Sequence, residues 1–172
     1  MRESLRQHER SSMPKGKVLA WTLYDWATSG YGAVIATFVF SVYFTQEVWD
    51  GDGGAVAWGW MVSLTSIFVG IGGSLLGLKF NGIRTHRSVL TLFIIISTIT
   101  GLGLWFVKPE PEYAILALLL VGIGSFCVET SFVPYNTLLR VLVPPERAGR
   151  VSANAWGLGY VGGVVCLLLA LP

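Results

Sequence analysis

The chain has 172 residues, 53% of them hydrophobic and only 13% charged, with a formal net charge of +2. Its mean hydropathy is +0.62, whereas a soluble domain carries about 25% charged residues. That balance excludes an ordinary water-soluble domain, makes the lipid bilayer the expected partner, and leaves no basic block that would call for nucleic acid.

Residues 1–17 are polar and hold Arg2, Arg6, Arg10, Lys15 and Lys17. They read as a retained cytoplasmic tail. The apolar run that follows is too long for a signal peptide, contains Asp25 and offers no small-x-small cleavage site. Five apolar runs then reach the roughly 20 residues that a helix needs to cross hydrocarbon: 18–44, 55–78, 88–107, 113–143 and 151–171.

The first run opens on Trp21-Thr22-Leu23-Tyr24-Asp25-Trp26-Ala27-Thr28-Ser29-Gly30-Tyr31. An ionisable side chain inside the bilayer costs at least roughly 2.5–3.5 kcal/mol on insertion scales, so Asp25 is a functional-site candidate. Helical spacing gathers Tyr24, Asp25, Thr28, Ser29, Tyr31 and Gly32 on one broad polar face, with Leu23, Val34 and Phe38 mainly elsewhere. Ser29, Ala33 and Ala36 are small enough to admit a neighbouring helix. The second run carries Gly73 and Gly77 at a helix-packing spacing, and the third is preceded by the basic connection Lys79–Arg87.

The fourth run is longer than a crossing requires and contains Pro134, which ends or kinks a helix. It also carries the second intramembrane acid, Glu129, on a stripe with Gly122, Ser125, Asn136 and Arg140. Measured from Trp21 and Arg140 as edge markers, Asp25 lies ~6 Å and Glu129 ~16 Å from the cytoplasmic edge. Both acids fall in the inner half of the bilayer, with no direct pair implied. Each reads as a proton or substrate ligand in a water-filled pathway. The alternatives are an acid hydrogen-bonded to a neighbouring helix, or one snorkelling to the cytoplasmic interface.

The fifth run has Gly159 and Gly163 at packing spacing. Its Gly157-Leu158-Gly159-Tyr160-Val161-Gly162 satisfies G-x-G-x-x-G, but a dinucleotide site needs a preceding strand and a βαβ unit, and here a membrane helix surrounds it. Cys127 and Cys166 lie in apolar runs without metal-ligand spacing and read as small core residues. His8 belongs to the tail and His86 to a basic connection, where both are expected to be solvated. No nucleophile, metal or phosphate-loop constellation is present, so neither enzyme activity nor a metal or cofactor is expected.

Eleven of the 12 Lys and Arg fall in the tail, in Lys79–Arg87 and around Arg140, Arg147 and Arg150. The opposite connections hold Lys108 beside Glu47, Asp50, Asp52, Glu110 and Glu112. The positive-inside rule then places the N-terminus in the cytoplasm. Trp49, Trp58, Trp60 and Trp105 mark outer ends and Trp21 and Trp156 inner ends. The last run stops at Pro172 without a polar tail, which suggests a fragment of a longer transporter more than a complete five-helix protein.

The stretch Trp21–Tyr31 resembles the first helix of the vacuolar-effluxer-like branch of the major facilitator superfamily, which includes the autophagy-related vacuolar amino-acid effluxer and bacterial relatives. Pro134-Tyr135-Asn136-Thr137-Leu138-Leu139, Pro144-Pro145-Glu146-Arg147-Ala148-Gly149-Arg150-Val151-Ser152 and Trp156-Gly157-Leu158-Gly159-Tyr160-Val161-Gly162-Gly163 resemble that branch in order and spacing. Thr28 stands where the family usually has Asn. The loop hallmark Gly-x-x-x-Asp-Arg-x-Gly-Arg-Arg is altered, with Asn81 at the acid's place and Gly82 at the first Arg; Arg84 and Arg87 would then keep only a topological role.

The resemblance implies an all-α polytopic membrane protein: the first five helices of the N-terminal six-helix half of a major facilitator fold, with later helices missing. In that fold the first and fourth helices line a central cavity, and these carry Asp25 and Glu129. The expected function is secondary active transport of a small polar solute by alternating access, with amino-acid efflux across a cell (inner) membrane as the form that the resemblance implies. Asp25 and Glu129 would be proton- or cation-linked acids, Tyr24, Ser29, Tyr31 and Asn136 cavity contacts, and Asn81, Arg84, Arg87, Arg147 and Arg150 cytoplasmic gate or topology residues. The alternatives are half of a sugar–cation symporter and, from another class, a non-transporting truncated membrane module.

Overall fold

A computed structural model describes residues 15–79 and 82–170; the greater part of the N-terminal tail, Asn81 and Pro172 lie outside them. Among the described residues all regular structure is helical. Five spans are long and apolar enough to cross a membrane: Gly16–Val48, Asp52–Leu78, Ile83–Phe106, Pro111–Leu142 and Pro145–Ala170.

The first span is a composite. An α-helix, Lys15–Tyr31, passes into a wide π-helical segment, Gly32–Phe38, then a short α-helical piece, Phe40–Tyr43, and a second π-helical segment, Phe44–Val48. The wide register is visible in single bonds: the Val39 amide donates to the Val34 carbonyl at 3.1 Å, and the Trp49 amide to the Phe44 carbonyl at 2.8 Å. These turns carry the span past Phe44. Gly51, at φ 85°, then reverses the chain in a conformation that a side chain would strain.

The fifth span begins at Pro145, ahead of the apolar run that starts at Val151. A first-turn amide has no helical partner, so proline costs nothing there, and the Pro144 carbonyl receives the Arg147 and Ala148 amides at 3.0 and 3.1 Å. Arg147 and Arg150 therefore sit on helix and not in a loop. His86 departs from its expected solvation: it lies in the first turn of the third span and is buried.

The fourth span is the centre of the bundle. In its most apolar stretch 39% of residues are buried, against 0% in the second span, which faces outward along most of its length. The second and third spans pack on the fourth, and the first packs chiefly along the fifth. Two apolar clusters close the ends of the bundle. One joins Phe44, Val48, Leu104, Ala117 and Val121, and the other joins Trp21, Tyr135, Leu138, Leu139 and Ala155.

The seams differ in chemistry. The first span meets the fourth through polar aromatics: Trp21 stacks on Tyr135 with centroids 4.2 Å apart and planes 5° apart. Its indole N–H donates to the Tyr135 carbonyl at 2.9 Å. Further along, the Tyr24 hydroxyl is hydrogen-bonded to Ser131, and the Tyr31 hydroxyl donates to the Val121 carbonyl at 3.3 Å.

Against the fifth span, glycine sets the approach. A methyl group at Gly162 would come within 2.8 Å of the Trp26 ring, and one at Gly30 within 2.8 Å of Cys166 Sγ. Of the other glycines at packing spacing, Gly73 and Gly163 lie against neighbours, but Gly77 has open space around it and makes no close helix contact.

Two predictions follow from these seams. Gly162→Ala should lower stability in detergent by about 1–3 kcal/mol through overpacking against Trp26, whereas Gly157→Ala, with nothing within 4 Å, should leave the melting curve unchanged; thermal unfolding followed by circular dichroism compares them. Trp21→Phe keeps the stack and loses the hydrogen bond to the Tyr135 carbonyl, so the same measurement should show a loss of about 1 kcal/mol.

Candidate functional site

Between the two apolar ends lies a polar mid-section formed by the first, second, fourth and fifth spans. A chamber of about 350 Å³ lies between the π-helical part of the first span and the second and fourth spans. Thr37, Thr65, Ser66, Ser125 and Glu129 supply its polar wall. A recess of about 170 Å³ shares Ala36, Ser125 and Glu129 with that chamber and adds Thr28, Ser29 and Tyr31 from the first span. Glu129 is exposed to this space. The wide turns of Gly32–Phe38 put Gly32, Ala36 and Thr37 on its wall, and π-helical turns often mark functional positions inside helices.

Asp25 occupies a different recess. It is 5% exposed and lies against Gly159, where a Cβ would stand 2.6 Å from the carboxylate and 2.8 Å from the Ser29 hydroxyl oxygen. Only glycine in the fifth span leaves room for the acid. The recess, about 190 Å³, is lined by Asp25, Ser29, Phe132, Trp156 and Tyr160. Ser29 and Phe132 border both the Asp25 and the Glu129 recesses, so the acids are neighbours across a shared wall, each with its own space. Among the described residues no Lys or Arg lines either one.

A wider groove of about 760 Å³ runs between the second and fourth spans, walled by Leu64, Phe68, Leu118, Ile123 and other apolar side chains. Without an acid on its wall it offers little to a polar solute.

The other expected site residues separate into groups. Ser29 stands at the junction of the two recesses, its hydroxyl donating to the Asp25 carbonyl at 2.8 Å. Tyr24 and Tyr31 commit their hydroxyls to the fourth span, Tyr31 also bordering the Glu129 recess. Asn136 is exposed and borders none of these spaces. Arg84, Arg87, Arg147 and Arg150 are exposed at the starts of the third and fifth spans, away from both acids' recesses. Asn81 lies outside the described residues.

Several residues escaped the sequence reading. Thr37, Thr65 and Ser66 carry no charge and sit in apolar runs, so nothing marks them as a wall. Trp156 and Tyr160 are visible as an aromatic pair four residues apart, and their rings meet edge to face at 6.3 Å. What they enclose depends on two other helices. Near the same region, Tyr135 and Thr130 bury hydroxyls that have no hydrogen-bond partner among the described residues.

Comparison with known proteins adds the family. The family model described as Major Facilitator Superfamily matches residues 3–166. The chain is similar to the uncharacterized MFS-type transporter YxiO of Bacillus subtilis (strain 168), 24% identical over 156 residues that make up 88% of this chain and 36% of that protein. The chain thus spans about a third of the length of the curated relative it matches. No solved structure matches it. A family match over nearly the whole length, on five helices able to cross a membrane, makes this chain an integral, multi-pass membrane protein of the Major Facilitator Superfamily.

Proposed function

We propose that the chain is part of a secondary transporter that moves a small polar solute by alternating access, with the Glu129 chamber as its share of the solute and proton path. The observation that carries the reading is a carboxylate exposed to a hydroxyl-lined space in the middle of an otherwise apolar bundle. An unpaired acid at membrane depth is costly, and such residues typically mark ion and substrate pathways. Membership of a transporter family points the same way and away from an enzyme.

In this reading the spans described here combine with further helices, and the central cavity closes only when both halves are present. Glu129 and Asp25 are the proton- or cation-linked acids, and Ser29, Tyr31 and Ser125 hold solute or water. Tyr24 steadies the first span on the fourth, while Asn136, Arg84, Arg87, Arg147 and Arg150 face the cytoplasmic gate. The distribution of Lys and Arg supports a cytoplasmic N-terminus in the cell membrane. The resemblance of Trp21–Tyr31 to the vacuolar-effluxer-like branch supports amino acids as cargo and efflux as the direction.

Reconstituted into proteoliposomes, the whole transporter should lose the pH dependence of solute movement in Glu129→Gln, because the amide cannot exchange a proton; unchanged pH dependence would remove Glu129 from coupling. The chamber itself can be tested in a background lacking Cys127 and Cys166. Cysteines at Thr37 and Ser125 should react with a hydrophilic methanethiosulfonate reagent, because the reactive thiolate forms in water. One at Ile99, 63% exposed on the third span's surface, should not. Equal labelling at all three would deny a wet chamber.

A further inference from the structure

The recess that holds Asp25 has a composition unlike the Glu129 chamber. A carboxylate residue and a hydroxyl residue, Asp25 and Ser29, line it together with three aromatic residues, Phe132, Trp156 and Tyr160. The acid is 5% exposed, yet among the described residues no side-chain hydrogen bond reaches its carboxylate; the Thr28 and Ser29 hydroxyls bond the Asp25 main-chain carbonyl instead. Nor does any Lys or Arg line the recess. A carboxylate of a buried residue that opens on a recess, with neither donor nor counter-charge among the described residues, is a position to be completed from outside, by a proton or by a cation.

The aromatic wall distinguishes between cations. A strongly hydrated inorganic ion needs several oxygen ligands, which one carboxylate and one hydroxyl do not supply. Ring faces favour a weakly hydrated organic cation, and quaternary and alkylated ammonium groups are bound by aromatic cages in this manner. At about 190 Å³ the recess is smaller than the roughly 300–1,000 Å³ of pockets for drug-sized ligands, so it suits a head group. Trp156 and Tyr160 are 59% and 70% exposed, which leaves its mouth open.

We propose that Asp25, Ser29, Phe132, Trp156 and Tyr160 form a binding site for an alkylammonium group. The site deepens the transport reading by naming the charged end of the solute that this half receives. With both intramembrane acids here and no Lys or Arg among the described residues lining their recesses, the anionic end of a zwitterion would have to be met by other helices. Gly159 is a positioning residue: it lets the fifth span approach the acid closely enough for Trp156 and Tyr160 to line the same recess.

The test is isothermal titration of the whole transporter in detergent micelles with choline chloride and with 3,3-dimethyl-1-butanol, which has the same shape without the charge. Choline should bind at least about tenfold more tightly than the alcohol, as a desolvated charge pair implies. Asp25→Asn should remove most of that preference. Trp156→Leu should weaken choline binding by about 3- to 30-fold, the range of a cation–ring contact, with circular dichroism confirming the fold of each variant. Equal binding of the two probes, no saturable binding of choline, or an unchanged affinity in both variants would overturn the proposal.

Lipid head groups carry ammonium as well. Weaker choline binding in nanodiscs containing phosphatidylethanolamine than in pure phosphatidylglycerol assigns the site to a lipid head group, and equal binding assigns it to a soluble amine; either outcome requires the ammonium site. The two readings fail separately. Lack of choline binding with Glu129-dependent transport intact removes only the ammonium site. Choline binding without Glu129-dependent transport removes only the transport role.

Discussion

In hydrocarbon the hydrophobic effect does not drive helices together, so this bundle depends on how closely the first span can approach its two neighbours. On one side Gly159, Gly162 and Gly163 let the fifth span come against Asp25, Trp26 and Ser29. On the other, the Trp21–Tyr135 stack and the hydroxyls of Tyr24 and Tyr31 anchor it to the fourth span. Asp25, Ser29 and the recess beside Glu129 lie beside or between these two seams. The acids face recesses because the seams hold the first span at a fixed rotation: Asp25 toward the fifth helix, and Thr28, Ser29 and Tyr31 around toward Glu129.

The change from α to π register after Tyr31 has a structural consequence. A regular α-helix from Lys15 to Val48 would keep presenting one angular stripe to its neighbours. Wide turns shift that stripe, so that Ala36 and Thr37 look into the Glu129 chamber while Phe44 and Val48 return to an apolar cluster. One helix thereby packs along the fifth span and on the fourth, and reaches the second span near its far end.

The fourth span shows a related division of labour. Its buried side carries Val121, Cys127, Ser131 and Tyr135, and its exposed side carries Glu129, Asn136 and Arg140. Pro134 sits among the buried residues and lacks the amide that would bond the Thr130 carbonyl. The Tyr135 carbonyl beside it takes the Trp21 indole as a donor. The helix is thus locally weakened and locally clamped within one turn, next to the wall that separates the two acids.

Composition, the five apolar runs and the two acids were legible in the linear chain because bilayer thickness imposes a length and hydrocarbon penalises charge, both independent of which helices meet. The family resemblance was legible in short motifs such as Trp21–Tyr31. Packing decided the rest. No local pattern distinguishes Gly162, pressed against Trp26, from Gly157 or Gly77, which touch nothing. His86 is buried although its neighbours in sequence are basic and polar. The stripe that joined Glu129 to Asn136 is real as a helical register, but Ser125 and Glu129 meet a chamber and Asn136 does not, because a recess needs walls from other spans. The aromatic enclosure of Asp25 draws on the first, fourth and fifth helices, so it exists only where those three converge.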